Sequence, residues 1–155
     1  IPGPQYGVAI LFRGELTRSG GMALPGLPGL ESRGFAWLEL RRSGHKFVAI
    51  STHLGLNHQE RLWQTEFLCN WLVKQATPVI LAGDLNTEPH SPEHTLLSIH
   101  AHDLTCGSEL LTFPSDVPSR QIDYIFATSP LRGISAEVLN GLESDHCPVV
   151  VKIRF

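Results

Sequence analysis

The sequence predicts an α/β fold built on a mixed sheet or on two packed sheets. Short apolar or alternating runs that read as strands outnumber the helical stretches. One long stretch of helical period lies between two such runs, so at least one helix links strands. At 155 residues, 42% hydrophobic and 17% charged, the chain suits one domain with a real core, and residues 1–155 are read as that domain.

The elements follow in order. Tyr6 to Arg13 (YGVAILFR) is strongly apolar and predicts a buried strand. Gly20 to Leu30 (GGMALPGLPGL) is rich in Gly and Pro and predicts a loop, with Met22, Leu24, Leu27 and Leu30 packed inward. In Gly34 to Arg42, Phe35, Trp37 and Glu39 alternate with Ala36, Leu38 and Leu40. Ser43-Gly44 then turns the chain into a strand over His45 to Thr52. From His58 to Lys74 the period becomes helical. Leu62, Phe67, Leu68, Trp71 and Leu72 line the inner face, with Gln59, Glu60, Arg61, Gln64, Asn70 and Lys74 outward. Pro78 helps end that helix, Val79 to Ala82 forms a buried strand, and Gly83 opens a loop. Ser91-Pro92-Glu93 starts a second helix, capped by Ser91. Ile122 to Phe126, Ala136 to Leu139 and Pro148 to Ile153 complete the strands.

Composition narrows the function classes. No run of about 18 apolar residues is present, so a membrane-spanning helix is excluded. Val8 to Phe12 lacks the flanks of a secretory signal. The net charge of −3, with basic residues scattered, disfavours a polynucleotide gripped along its backbone, while leaving an enzyme with few phosphate contacts open. Cys69, Cys106 and Cys147 are odd in number and form no C-x-x-C pair, which disfavours a disulfide framework and prefers a reducing, cytoplasmic compartment.

Four motifs carry chemistry, each with a plainer reading beside it. In Gly83-Asp84-Leu85-Asn86-Thr87, Asp84 and Asn86 sit two apart at a strand end and can face one site; the same residues also favour a simple turn. Asp145 and His146, in SDHCPV before the last strand, can supply a carboxylate and a proton-transferring imidazole, or merely a capped turn. Asp123 lies inside the apolar run QIDYIF. A carboxylate there needs a partner, either a histidine or an arginine such as Arg120. His53, in STHL at a strand exit, is more often structural when taken alone. His94, His100, His102 and Cys106 match no common zinc spacing, and Trp37, Trp63 and Trp71 read as core or helix face.

Taken in order, T-H-L, G-D-L-N, I-D-Y-I-F and S-D-H-C-P-V resemble the endonuclease/exonuclease/phosphatase superfamily. That group includes deoxyribonuclease I-like nucleases, abasic-site endonucleases, neutral sphingomyelinases and inositol-polyphosphate phosphatases. Thr112-Phe113-Pro114-Ser115 looks like a segment of its bacterial members. The resemblance implies two packed mixed β-sheets flanked by helices, a four-layer sandwich, and divalent-metal-dependent hydrolysis of a phosphate ester, first of all a phosphodiester. Asp84 would position or deprotonate the attacking water, and Asn86 would orient it and contact phosphate. His146, oriented by Asp123, would stabilise the phosphate or act as general base. Asp145 would bind or support the metal, and His53 would hydrogen-bond the phosphate or assist the leaving group. Arg120 is a further candidate phosphate contact. Hard oxygen donors imply Mg²⁺, with Mn²⁺ as a substitute.

The family also places an Asn on its first strand and a metal-binding Glu on a following one, and no residue here stands in a matching context. With Ile1 as first residue, the expectation is a fragment: the later, larger part of a domain lacking its opening strands, with an unpaired sheet edge and severely reduced metal affinity and rate. The competing reading is a non-catalytic member that binds a phosphorylated ligand or partner. The identity of the phosphorylated substrate and the oligomeric state are not specified by these residues.

Overall fold

The computed structural model describes residues 7–106, 110–141 and 143–155. Its elements are β1 (Glu15–Ala23), β2 (Gly34–Arg42), β3 (His45–His53), α1 (His58–Leu72), β4 (Val79–Asp84), α2 (Pro92–His100), β5 (His102–Asp103), β6 (Asp123–Ala127), β7 (Arg132–Val138) and β8 (Val149–Arg154). Six strands form a mixed sheet in the order β1-β2-β3-β4-β6-β5, and β7 and β8 form a second, small antiparallel sheet. Among the described residues, β3 and β4 are the strands that pair in parallel, because α1 crosses between them. The α/β class is therefore as predicted, with a large mixed sheet and a smaller one.

Alternation along the strands decides the layers. Val48, Ile50, Leu81, Tyr124 and Phe126 point to one face and form the core with Leu68 and Leu72 of α1 and Leu97 of α2. The small sheet lies along the opposite face: Phe155, just beyond β8, stacks on His45 at 4.3 Å between ring centroids. Among the described residues, no helix is long and apolar enough to cross a membrane. Cys69, Cys106 and Cys147 are all free.

Two expectations are corrected. The first strand is Glu15–Ala23, not Tyr6–Arg13. Residues 7–13 form no strand, Leu11 is 99% exposed, and Tyr6 lies outside the described residues. β1 is exposed along its whole length and is held to β2 by backbone pairing and by polar contacts, Thr17 Oγ1 donating to Glu39 Oε1 at 2.7 Å and Arg18 lying over the Trp37 ring, so hydrophobicity does not mark it. The Gly-rich start of the expected loop belongs to this strand. A Cβ on Gly20 would meet the Trp37 ring at 2.9 Å. Of the apolar residues expected to pack inward there, Leu24 is buried, but Met22 and Leu30 are exposed.

The inner face of α1 is the second correction. Glu60 and Gln64, expected outward, are buried together with Thr65, Leu68, Cys69 and Leu72. The Gln64 amide accepts from Gly55 N at 2.8 Å and donates to Pro25 O at 3.1 Å, and Glu60 Oε1 accepts from Leu27 N at 3.3 Å. These bonds to turn backbone compensate the burial. Asn57 caps α1 through Glu60 N, and Ser91 caps α2 through His94 N.

A buried charge pair joins the two helices. Glu93, 1% exposed, accepts from Arg61 Nε at 3.0 Å and lies 2.9 Å from His58 Nδ1. Arg61 also donates to Leu56 O at 2.7 Å, so the pair holds the turn that follows His53.

Candidate active site

The sheet register builds the site. In the parallel β3–β4 pair His53 lies opposite Asp84, and in the antiparallel β4–β6 pair Asp84 lies opposite Asp123. Paired residues project to the same face. The three side chains thus form a row across adjacent strands, on the face away from the helices. Gly83 makes this row possible, because a Cβ there would lie 1.9 Å from Thr52 O. Gly83 therefore stays within β4, and the strand runs on to Asp84 instead of ending at Ala82.

His146 reaches the row from the loop before β8, and a neighbouring segment clamps that loop. Cys147 N donates to Thr112 O at 2.7 Å, and Ser115 N donates to Asp145 O at 2.8 Å. Phe113 packs its ring against the imidazole, with centroids 4.8 Å apart. The clamp closes on itself through the Phe113–Arg120 bridge.

Within the row, Asp84 stands between two imidazoles. Its Oδ1 accepts from Asn86 N at 2.8 Å. Its Oδ2 lies 3.2 Å from His53 Nε2 and 3.9 Å from His146 Nε2. Asn86 adopts a left-handed φ of 50°, which its side chain tolerates, and its Nδ2 donates to Leu54 O at 2.9 Å. The G-D-L-N segment is thus a tight turn that also presents its acid to the site.

Asp123 meets His146 through Oδ2 and Nδ1 at 2.8 Å. Burial by itself pulls the His146 pKa down. The Asp123 hydrogen bond and the charges of Asp123, Asp84 and Asp145 outweigh it and raise the pKa above the ordinary histidine value.

Donor atoms of Asp84, Asp123 and His146 all lie within 4.8 Å of one another, the single such group among the described residues. Two carboxylates at this spacing suit a hard divalent cation. Asp145, expected at the metal, is not brought into this group. Its side chain is exposed and accepts from Ser144 Oγ at 3.4 Å, while its charge still acts on His146. Arg120 pairs with Glu88 at 2.8 Å and not with Asp123, and both partners are exposed. His94 Nε2 lies 2.9 Å from Asp103 Oδ2, a hydrogen bond outside the group.

Sequence reasoning missed Arg33, Phe113 as a support and Gly83 as a strand residue. Arg33 Nη1 lies 3.3 Å from His53 Nδ1. Its place immediately before the β2–β3 hairpin was the one available signal. Arg33 also lines a cavity of about 350 Å³ with Phe35, Ala36 and His53, which touches the row only at His53.

Comparison with known proteins agrees with this architecture. The structure is similar to a mannosyl-6-phosphatase of Bacteroides thetaiotaomicron, with TM-score 0.79 and 18% identity over 91% of this chain and 67% of that one. It is also similar to an endonuclease/exonuclease/phosphatase family protein of the same organism, with TM-score 0.81 and 17% identity over 90% and 65%. A third similarity is to TDP2 of D. rerio complexed with single-strand DNA product, with TM-score 0.71 and 19% identity over 91% and 68%. The chain thus spans about two thirds of the length of these structures. No curated protein sequence matches significantly. Residues 1–146 match the signature of the Endonuclease/Exonuclease/phosphatase family, and the chain belongs to that family.

Proposed function

We propose that this chain hydrolyses a phosphate ester, a phosphodiester in the first instance, with the row His53–Asp84–Asp123 and His146 as its machinery. The observation that carries this reading is the position of Asp84 Oδ2 between two imidazole Nε2 atoms, 3.2 and 3.9 Å away. Family membership and the named phosphatase among the similar structures support the reaction class.

Asp84 is the proton acceptor for the attacking water. One of its oxygens is fixed by Asn86 N, which leaves the other aimed between the histidines. The water oxygen bonds to phosphorus, its proton passes to Asp84, and the ester P–O bond breaks. His146, whose charged form Asp123, Asp84 and Asp145 favour, neutralises charge on the phosphoryl oxygens and gives a proton to the departing oxygen. His53 donates a hydrogen bond to the phosphoryl group, and the Asn86 amide offers its second N–H. Asp84 and Asp123 would hold Mg²⁺ or Mn²⁺, whose charge stabilises phosphoryl oxygens when bound. Arg120, released from Glu88, is a candidate contact for a second phosphate oxygen or a neighbouring phosphate.

The test is hydrolysis of an aryl phosphodiester with Mg²⁺, with EDTA, and by His146→Ala. Turnover lost in both controls supports the reading. Turnover that survives His146→Ala overturns the assignment.

A further inference from the structure

The two nitrogens of the His53 ring face groups of opposite character. Nδ1 lies 3.3 Å from Arg33 Nη1, and Nε2 lies 3.2 Å from Asp84 Oδ2. A guanidinium only donates hydrogen bonds and keeps its proton at any working pH. The nitrogen it faces must therefore present a lone pair. A neutral ring so held carries its one proton on Nε2, toward Asp84.

The fold builds this contact in. Arg33 directly precedes β2, and the β2–β3 register sets Phe35 opposite Thr52, which brings the start of β2 beside the end of β3. Thr52 Oγ1 donates to Gly34 O at 3.3 Å and ties the two ends further. The Arg33 side chain is nearly buried, 8% exposed, and its Nη2 meets Glu31 at 2.9 Å. An arginine anchored through its other nitrogen cannot swing away from the imidazole without breaking that pair.

We infer that Arg33 is a positioning residue that fixes His53 as the neutral Nε2–H tautomer. His53 then meets a phosphoryl group as a fixed hydrogen-bond donor and not as a base. The inference rests on the proposed function for its catalytic consequence, but the tautomer itself is a property of the chain.

Imidazole nitrogen NMR of the ¹⁵N-labelled full chain tests it, above the ordinary histidine range, with the His53 signals assigned by difference against His53→Gln. The wild-type spectrum is expected to show a protonated Nε2 and an unprotonated Nδ1. Arg33→Met is expected to average the two nitrogens, and Arg33→Lys, still a donor, to restore the pattern. A proton on Nδ1 in the wild type overturns the inference, and that spectrum decides even where Arg33→Met fails to fold. So does an Arg33→Met spectrum identical to wild type. In turnover, Arg33→Met is expected to lower kcat about tenfold with KM little changed, on the scale of other orienting partners, and Arg33→Lys to recover most of it. A chain inert toward every ester, with the expected tautomer present, contradicts the proposed function and leaves the Arg33 assignment standing.

Discussion

The two histidines beside Asp84 are held in opposite ways. His146 gives Nδ1 to a carboxylate, Asp123, at 2.8 Å, whereas His53 gives Nδ1 to a guanidinium, Arg33, at 3.3 Å. A carboxylate accepts, so His146 keeps a proton on Nδ1 and gains or loses its second one at Nε2. A guanidinium donates, so the His53 proton stays on Nε2. One ring is a site of proton exchange and the other a fixed donor. A single carboxylate, Asp84, can thus work between them without both imidazoles competing for the same proton.

The largest expected effect separates the two rings. His146→Ala removes the exchangeable proton and is expected to cost about 10³-fold in kcat, whereas His53→Ala loses one hydrogen bond to phosphate, about 10²-fold. Equal losses from both, measured on one aryl phosphodiester, would dissolve the distinction. Next comes Gly83→Ala. Its Cβ would collide with Thr52 O and push β3 from β4 where His53 meets Asp84. Thermal unfolding is expected to show a loss of about 3 kcal/mol, on the scale of backbone strain with a displaced strand, and kcat to fall with it. A fully active, stable Gly83→Ala would show that the row need not be held so tightly. The smallest effect is on the His146 side. Phe113→Ala removes the ring packed on the imidazole and is expected to lower kcat several-fold, at a stability cost on the order of 1 kcal/mol for a half-buried aromatic. No change in kcat would place the support of His146 wholly in the backbone clamp from Thr112 and Ser115.

Those regions also differ in how far they could be read from sequence. The β2–β3 hairpin, α1 and the Ser91 cap rest on local signals: alternation, helical period and a capping side chain. The acids and histidines that meet in the row were visible as strand-end motifs in order, although their register was not. β1 was misplaced because an exposed edge strand carries no hydrophobic mark, while the apolar run before it forms no strand and leaves Leu11 and Phe12 open to solvent. Glu60 and Gln64 were set outward because side-chain polarity says nothing of turn amides 9 to 39 residues away that can satisfy it. Arg33 was silent for a similar reason. Its contact with His53 spans 20 residues and arises only when the hairpin closes in register.

The most direct test of the division between the two histidines is the pH dependence of aryl phosphodiester hydrolysis by the wild type and by Asp123→Asn. The His146 pKa is raised above its ordinary value of 6.5, so the ring is charged below that raised value and loses its proton as pH climbs through it. The stability contributed by the Asp123 pair follows the same sign, full below the ordinary value and lost on that climb. The account predicts a rate that is high on the acid side and declines through the raised pKa. In Asp123→Asn the decline should move to lower pH, because the carboxylate charge is gone and the hydrogen bond to Nδ1, now to a neutral amide oxygen, is weaker. A rate that rises over that range, or a profile that Asp123→Asn leaves in place, would contradict the assignment of His146 as the proton-bearing partner.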